Sequence, residues 1–334
     1  MNRLSAFYRR MNAKFDAYDC IPKKGRAIFY WNSALARAFK HMSIDDYCYF
    51  YSRLGKPDCW KRAINRDKAW GMWKLNPPEA VHRLEDKAGC LERYGEFVHR
   101  EWLVPAKAGE QAFIEFARKH DSYIVKPRTK GRGEGVYISR YISDDICKPE
   151  FKALCEEDAI VEEVIRQHES QCALYPDSVN TIRYATVLTD DGVLLLSPSM
   201  RIGNGGVIDN FCKGGLSVMI DAETGKIETP GVDRLHRVYE RHPLTGTPLV
   251  GYQIPHWQLL KETVRKMALV DPEAVFVGWD IAVTPDGVDM VECNNNQGFG
   301  WQYTLGKDWQ KEYKIANRKA KKYYQHMMKK RAKK

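Results

Sequence analysis

The chain has 334 residues, 44% of them hydrophobic and 29% charged, which is enough to build two or three packed cores and too apolar for a disordered chain. Its net charge of +10 sits at one end: from Lys307 onward there are twelve Lys and Arg against Asp308 and Glu312, whereas the rest carries 41 basic and 41 acidic residues. A balanced body with a basic appendage disfavours nucleic acid as the partner, and no apolar run reaches the length of a signal peptide core or a membrane span. Nine cysteines are scattered without a C-x-x-C pair or a zinc-ligand spacing, so a cytoplasmic protein with reduced thiols is expected.

In chain order, residues 1–85 read as a mainly helical region with aromatic faces, broken at Pro22, Pro57 and Pro77-Pro78. Short helices follow over 86–94 and 109–120. The pattern then turns to strands over 123–127, 135–139, 159–163, 179–189, 193–202 and 216–221. A helix beginning near Pro255 precedes a last hairpin, with apolar runs over 275–283 and 288–291. Strands joined as hairpins, with a few helices between, predict an α+β fold with antiparallel sheets and not a doubly wound parallel sheet. The terminal segment from Lys307 has helix-forming composition with Tyr and Met interleaved. A solvated helix is the plain reading; contact with an anionic polymer or a membrane surface is the functional one.

Two stretches carry chemistry. In "YIVKPRTKGRGEGVYI" a strand ends at Lys126-Pro127, a loop holds Gly131, Gly133 and Gly135, and a second strand follows. Closely spaced glycines let backbone N–H groups approach phosphate oxygens, and Lys126, Arg128, Lys130 and Arg132 add positive charge. A P-loop or a Rossmann loop opens a helix, whereas this one closes a hairpin. A protein kinase needs H-R-D and D-F-G, which are absent. A hairpin lid over a nucleotide is therefore expected, against the plain alternative of a charged surface turn.

The second stretch is "VGWDIAVTPDGVDMVECNNNQG". The turn Thr284-Pro285-Asp286-Gly287 reads as a three-residue loop with a bulge, which sets Thr284 opposite Val288 and hence Asp280 opposite Glu292. A two-residue loop would put the two acids on opposite faces. Asn294 shares the face of Glu292, because strand side chains alternate. Facing carboxylates repel unless a cation lies between them, and an all-oxygen donor set suits Mg2+. The plain alternative is a solvated face that carries two acids.

Lys126 with its glycine loop, the acidic strand "IVEEVI", and Asp280 with Glu292 and Asn294 together resemble the ATP-grasp superfamily. Within it, "DSVNTIRYATVL", "SMRIGNGGVIDNFCKGGLSVMID" and "VGWDIAVTPDG" are similar to the sugar-transfer-associated ATP-grasp proteins of polysaccharide biosynthesis, over about residues 75–305. The resemblance implies ATP and Mg2+ as cofactors and two α+β subdomains that grip the nucleotide. It divides the chain into a helical region 1–85, a lid subdomain 86–165, a metal-binding and acceptor subdomain 166–306, and a basic tail 307–334. It implies Lys87 and Lys126 on the nucleotide phosphates, with Gly131, Arg132, Gly133 and Gly135 in the lid. Glu162, Glu163 and Ile165 would form the adenine hinge, and Glu169, with His168 as the alternative, would meet the ribose. Asp280, Glu292 and Asn294 would hold Mg2+, and Arg201 would steady the transferred phosphoryl group. Cys293 and Gln297 depart from the usual residues without replacing a ligand.

The implied reaction joins a carboxylate and an amine through an acyl phosphate, on small-molecule or sugar-linked substrates such as a uronic acid and an amino acid or amine. Arg183, beside Asn180, is a candidate catalytic or acceptor-binding residue, against the plain alternative of a strand salt bridge; Arg201, Asn204, Asp209, Asn210 and Lys213 are further candidates around a glycine-rich turn. Two alternatives stay open: a kinase acting on a hydroxyl, and a non-catalytic nucleotide-dependent binding protein. His236, His242 and His256 read as surface or structural, and Trp257, Trp301 and Trp309 as packing. The implied location is the cytoplasm, or the inner face of the membrane if the tail is a contact.

Overall fold

A computed structural model describes residues 3–16, 21–64, 71–131, 133–206, 209, 214–235, 237–295 and 309–333. Arg132, Asn210, Lys213, His236, Gln297 and Trp301 lie outside the described residues. Two compact units divide the chain, Asn76–Asn295 as one and Met1–Leu75 with Asn296–Lys334 as the other.

The second of these is helical. Its elements are α1 (Arg3–Asp16), α2 (Ala27–Lys40), α3 (Ile44–Leu54) and a C-terminal helix, Gln310–Arg331. Ser43 opens α3 with a reciprocal cap: its hydroxyl accepts from the Asp46 N–H, and the Asp46 carboxylate accepts from the Ser43 N–H. Gly55, at φ 65°, closes it in the left-handed conformation. Phe15, Phe29, Tyr47 and Phe50 form the core between these helices.

The unit Asn76–Asn295 contains two sheets, and every strand pairing in both is antiparallel, as expected. The smaller contains β1 (Trp102–Leu103), β2 (Ser122–Pro127), β3 (Tyr137–Arg140) and β4 (Ala159–Glu163), in the order β1-β4-β2-β3. Helices Glu110–His120 and Asp144–Glu156 cover one face, where Phe113, Tyr123, Val125, Leu154 and Val161 are buried together. Alternation along β2 turns Ile124 and Lys126 to the other face. The helix Asp144–Glu156 is absent from the sequence reading; Pro149 inside it disguises the helical pattern.

The larger sheet holds β5 (Thr181–Thr189), β6 (Gly192–Leu195), β7 (Ser199–Ile202), β8 (Leu216–Met219), β9 (Gly231–Val232), β10 (Val238–Tyr239), β11 (Phe276–Thr284) and β12 (Gly287–Asn294). Its order is β10-β9-β8-β7-β5-β11-β12, with β6 paired to β5. The strand expected over 193–202 is two strands, because Pro198 has no N–H for a continuous ladder. Among the described residues no helix is long and apolar enough to cross a membrane. The expectation of reduced thiols throughout is corrected: Cys90 and Cys293, 203 residues apart, form a disulfide. The helix Lys87–Arg93 packs on β12 and brings them together, a tertiary contact that no cysteine spacing announces.

The final hairpin differs from expectation in its mechanism. Thr284 pairs with Gly287 across a two-residue loop, Pro285-Asp286, and Ile281 pairs with Met290. A β-bulge then leaves Val291 without an opposite residue, so Asp280 faces Glu292 after all. The buried Arg100 guanidinium explains why the bulge is tolerated. It donates to the Met290 carbonyl at 2.8 Å and to the Val291 carbonyl at 3.1 Å. It also pairs with Glu162 of β4 at 2.6 Å and Asp289 of β12 at 2.8 Å, so one cation joins the two sheets. Removing one member of such a buried cluster strands the remaining charges in a dry interior. Arg100→Ala is therefore expected to lower stability by about 3–5 kcal/mol, read as a shift in the urea unfolding midpoint.

Candidate active site

Four adjacent strands place the candidate residues. Arg183 on β5 lies opposite Asp280 on β11, which lies opposite Glu292 on β12; Arg201 on β7 lies opposite Thr181 on β5. Asp280 is fully buried. Arg183 forks onto it through Nε and through Nη2, the latter at 2.8 Å. The Arg201 Nη2 donates to the same carboxylate at 2.8 Å and to the Thr181 hydroxyl at 2.7 Å. Asn294 Nδ2 bridges the acids, at 3.2 Å from Glu292 and 3.4 Å from Asp280.

Burial opposes ionisation of Asp280, but the Arg183 and Arg201 guanidiniums overcome it and hold the carboxyl well below the usual carboxylate range. Glu292 moves the other way: burial, then the Asp280 charge beside it, raises its carboxyl. Among the described residues no three His, Cys, Asp or Glu side chains converge. Two carboxylates meet here with one amide, and with that amide rotated to present its Oδ1 the set fits a hard divalent cation. A cation between them would also relieve the repulsion that raises Glu292.

The lysines approach the same place from two elements, Lys126 from β2 of the smaller sheet and Lys87 from the first position of the helix Lys87–Arg93. Lys126 Nζ lies 2.8 Å from a Glu162 carboxylate oxygen. Glu162 is held ionised against its own burial by Arg100 and Lys126. Lys87 donates to the Pro127 carbonyl at 3.0 Å and to the Lys130 carbonyl, so it braces the start of the glycine loop; burial lowers its ammonium. Lys87, Lys126, Glu162 and Glu292 line one small cavity of about 10 Å³. In the loop, Gly133 and Gly135 have φ near +70°. A Cβ on Gly135 would stand 2.8 Å from the Pro127 ring, so the hairpin turns here only with glycine.

A second cavity, of about 640 Å³, opens beside the segment after β4. Ile165, His168 and Glu169 line it, with Ile124 and Ile138 from the hairpin. The Glu162 side chain is withdrawn into the ion cluster, and the Glu163 carboxylate accepts from the Glu101 N–H at 3.0 Å. His168 caps the following helix by accepting from the Ser170 N–H, which occupies its Nδ1.

Around the turn after β7, Asp209 accepts from the Thr181 N–H at 3.0 Å and lies 3.5 Å from Arg201 Nε. Gly203 N–H donates to Asn180 Oδ1 at 3.0 Å, and a Cβ on Gly203 would strike Ser178 Oγ at 2.1 Å. His242 closes this support. It donates from Nε2 to the Gly203 carbonyl at 2.7 Å, and its Nδ1 accepts from the Leu244 and Thr245 N–H groups. Sequence reasoning missed Arg100 altogether, since "VHREW" carries no motif.

Comparison with known proteins adds the following. The model of a family described as sugar-transfer associated ATP-grasp matches residues 72–312. No protein of curated function matches the chain. Among solved structures, N5-carboxyaminoimidazole synthase from Aspergillus clavatus, in complex with ADP and 5-aminoimidazole ribonucleotide, is 11% identical with a TM-score of 0.40; the match covers 65% of this chain and 46% of that one. The chain thus spans about half the length of that protein. D-cycloserine synthetase DcsG is 12% identical with a TM-score of 0.45, covering 75% and 73%. Macrocyclase MdnC from Microcystis aeruginosa MRC, bound with precursor peptide MdnA, is 13% identical with a TM-score of 0.43, covering 73% and 63%.

Burial lowers the His242 imidazole below its ordinary value, so the unfolded chain takes up that proton first as pH falls. This contribution to stability is complete above about pH 6.5 and declines below it, by at most about 1.4 kcal/mol per pH unit. His242→Gln is expected to flatten that part of the profile when unfolding is followed by urea between about pH 5 and 7.

Proposed function

The chain belongs to the sugar-transfer associated ATP-grasp family, and from that premise we propose that it is an ATP-dependent ligase that joins a carboxylate to an amine. The observation that carries this reading is the meeting of Asp280, Glu292 and Asn294 with Arg183 and Arg201 on neighbouring strands, while Lys87 and Lys126 share a cavity with Glu292.

In this reading the substrate carboxylate attacks the γ-phosphorus of ATP and releases ADP. The amine then attacks the acyl phosphate, forming the amide and releasing phosphate. Lys126 and Lys87 bind the nucleotide phosphates, with Glu162 fixing the direction of Lys126. The glycine hairpin Gly131–Gly135 covers the phosphates and excludes water, which would otherwise hydrolyse the acyl phosphate. Backbone groups near Glu163 and Ile165 meet adenine, and Glu169 meets the ribose from the wall of the larger cavity. Arg201 steadies the transferred phosphoryl group, and Arg183 keeps Asp280 ionised and in place. Mg2+, held by Asp280, Glu292 and the oxygen of a rotated Asn294 amide, supplies charge neutralisation on the phosphates when bound.

The substrates proposed are a uronic acid or other sugar-linked acid with an amino acid or amine, in modification of a surface polysaccharide. Residues 86–165 act as the lid subdomain and 166–306 as the metal and acceptor subdomain. The enzyme works in the cytoplasm, with its basic tail against an anionic polymer or the inner face of the membrane.

The test is release of ADP and phosphate from Mg-ATP with paired uronic acids and amines. Turnover is expected only with both substrates present. Lys126→Met and Asp280→Asn are each expected to lower kcat by about 10²–10³. Turnover with a sugar alcohol and no amine would replace the ligase by a kinase.

A further inference from the structure

The two compact units differ sharply in charge. Met1–Leu75 with Asn296–Lys334 carries 28 Lys and Arg against 8 Asp and Glu, a net of +20; Asn76–Asn295 carries 25 against 35, a net of −10. The basic unit also presents the largest exposed apolar side chains of its helices in one row. On α2, Ile28, Trp31 and Phe39 are 52%, 67% and 61% exposed. Their spacing of three and then eight residues places them on one side of the helix, beside and not within the face that buries Phe29, Asn32, Ser33 and Ala36. There is no acidic residue in α2.

The row runs into a basic groove. Phe39 and Lys40 line one wall of a cavity of about 620 Å³, and Lys314, Arg318, Lys321 and Lys322 of the C-terminal helix line the other. Glu312 is the one acid in that helix. Phe39 is stacked on Trp60 with ring centroids 5.9 Å apart, so the apolar row is fixed in place where it meets the lysines.

We infer that this surface docks on an anionic lipid bilayer, with Ile28, Trp31 and Phe39 entering the interface and the lysines of the C-terminal helix meeting acidic headgroups. Both elements are needed for that partner. A band of basic side chains draws the protein to anionic lipid, and an aromatic and aliphatic row holds it at the boundary of the acyl chains. An anionic polysaccharide offers nothing apolar for Ile28 and Trp31 to enter. A nucleic acid would stack on the rings but gives no role to an aliphatic Ile28 in the same row. The inference gives chemistry to the peripheral location proposed above and rests on that reading for the enzyme's place of work.

The experiment is flotation of the full chain with vesicles of phosphatidylcholine alone and of phosphatidylcholine with phosphatidylglycerol in equal parts. The chain is expected to float with the anionic vesicles only. Ile28→Ser with Trp31→Ser, and separately Lys314→Glu with Lys321→Glu, are each expected to weaken binding about tenfold or more. ATP turnover on soluble substrates is expected to stay unchanged in both variants, so a failed ligase assay and a failed flotation are separate results. Absence of binding to anionic vesicles would overturn the inference. So would binding that the serine pair leaves untouched, or anionic polysaccharide or single-stranded DNA outcompeting the vesicles at equal charge.

Discussion

One buried guanidinium governs the geometry of the candidate active site. In a regular strand, consecutive carbonyls point to opposite edges. At the β12 bulge, those of Met290 and Val291 both accept from Arg100. That capture satisfies two acceptors of the edge strand β12, beside the bulge at which Glu292 comes to lie opposite Asp280. The same side chain holds Glu162, which in turn holds Lys126. A carboxylate register on one sheet and a lysine on the other thus depend on a single cation. Its desolvation is offset by two carboxylates, Glu162 and Asp289, and by the two carbonyls.

Around it the charges are arranged in opposing pairs, as a dry interior requires. Asp280 is matched by Arg183 and Arg201, and Arg201 also lies near Asp209. Glu292 has no lysine or arginine among its hydrogen-bonding partners described above, and its carboxyl is raised by burial and by Asp280. Two carboxylates held in contact at low dielectric are a stored electrostatic cost, and a bound cation would remove it. The arginines are fixed by their own ion pairs, so in the proposed reaction little reorganisation would accompany charge development beside them.

Charge is also organised on the scale of the chain. The unit that contains the candidate site is net acidic, and the cations in its interior, Arg100, Arg183, Arg201 and Lys126, are each matched by a buried acid. The helical unit is net basic, and its apolar row lies on α2, ending at Phe39 beside the lysines of the C-terminal helix. Counting charge along the chain assigned the basicity to the tail alone. Grouping residues by packing brings residues 1–75 together with the tail.

The sequence by itself determined the elements and their kind. Alternation and β-branched runs marked most strands, turn chemistry marked the two hairpins, and closely spaced glycines after Lys126 marked a loop that only glycine can make at Gly135. The antiparallel α+β class followed from the order of those pieces, because each depends on residues near in sequence. It failed where distant groups decide. The loop at Pro285-Asp286 is one residue shorter than its composition suggested, and Asp280 meets Glu292 through a bulge at Val291, whose carbonyl is held by Arg100 about 190 residues away. The Cys90–Cys293 pairing and the withdrawal of the Glu162 carboxylate from the hinge have the same origin. Local pattern sets which face a side chain can take; the partners that satisfy buried polar groups, supplied from far along the chain, decide which face it does take.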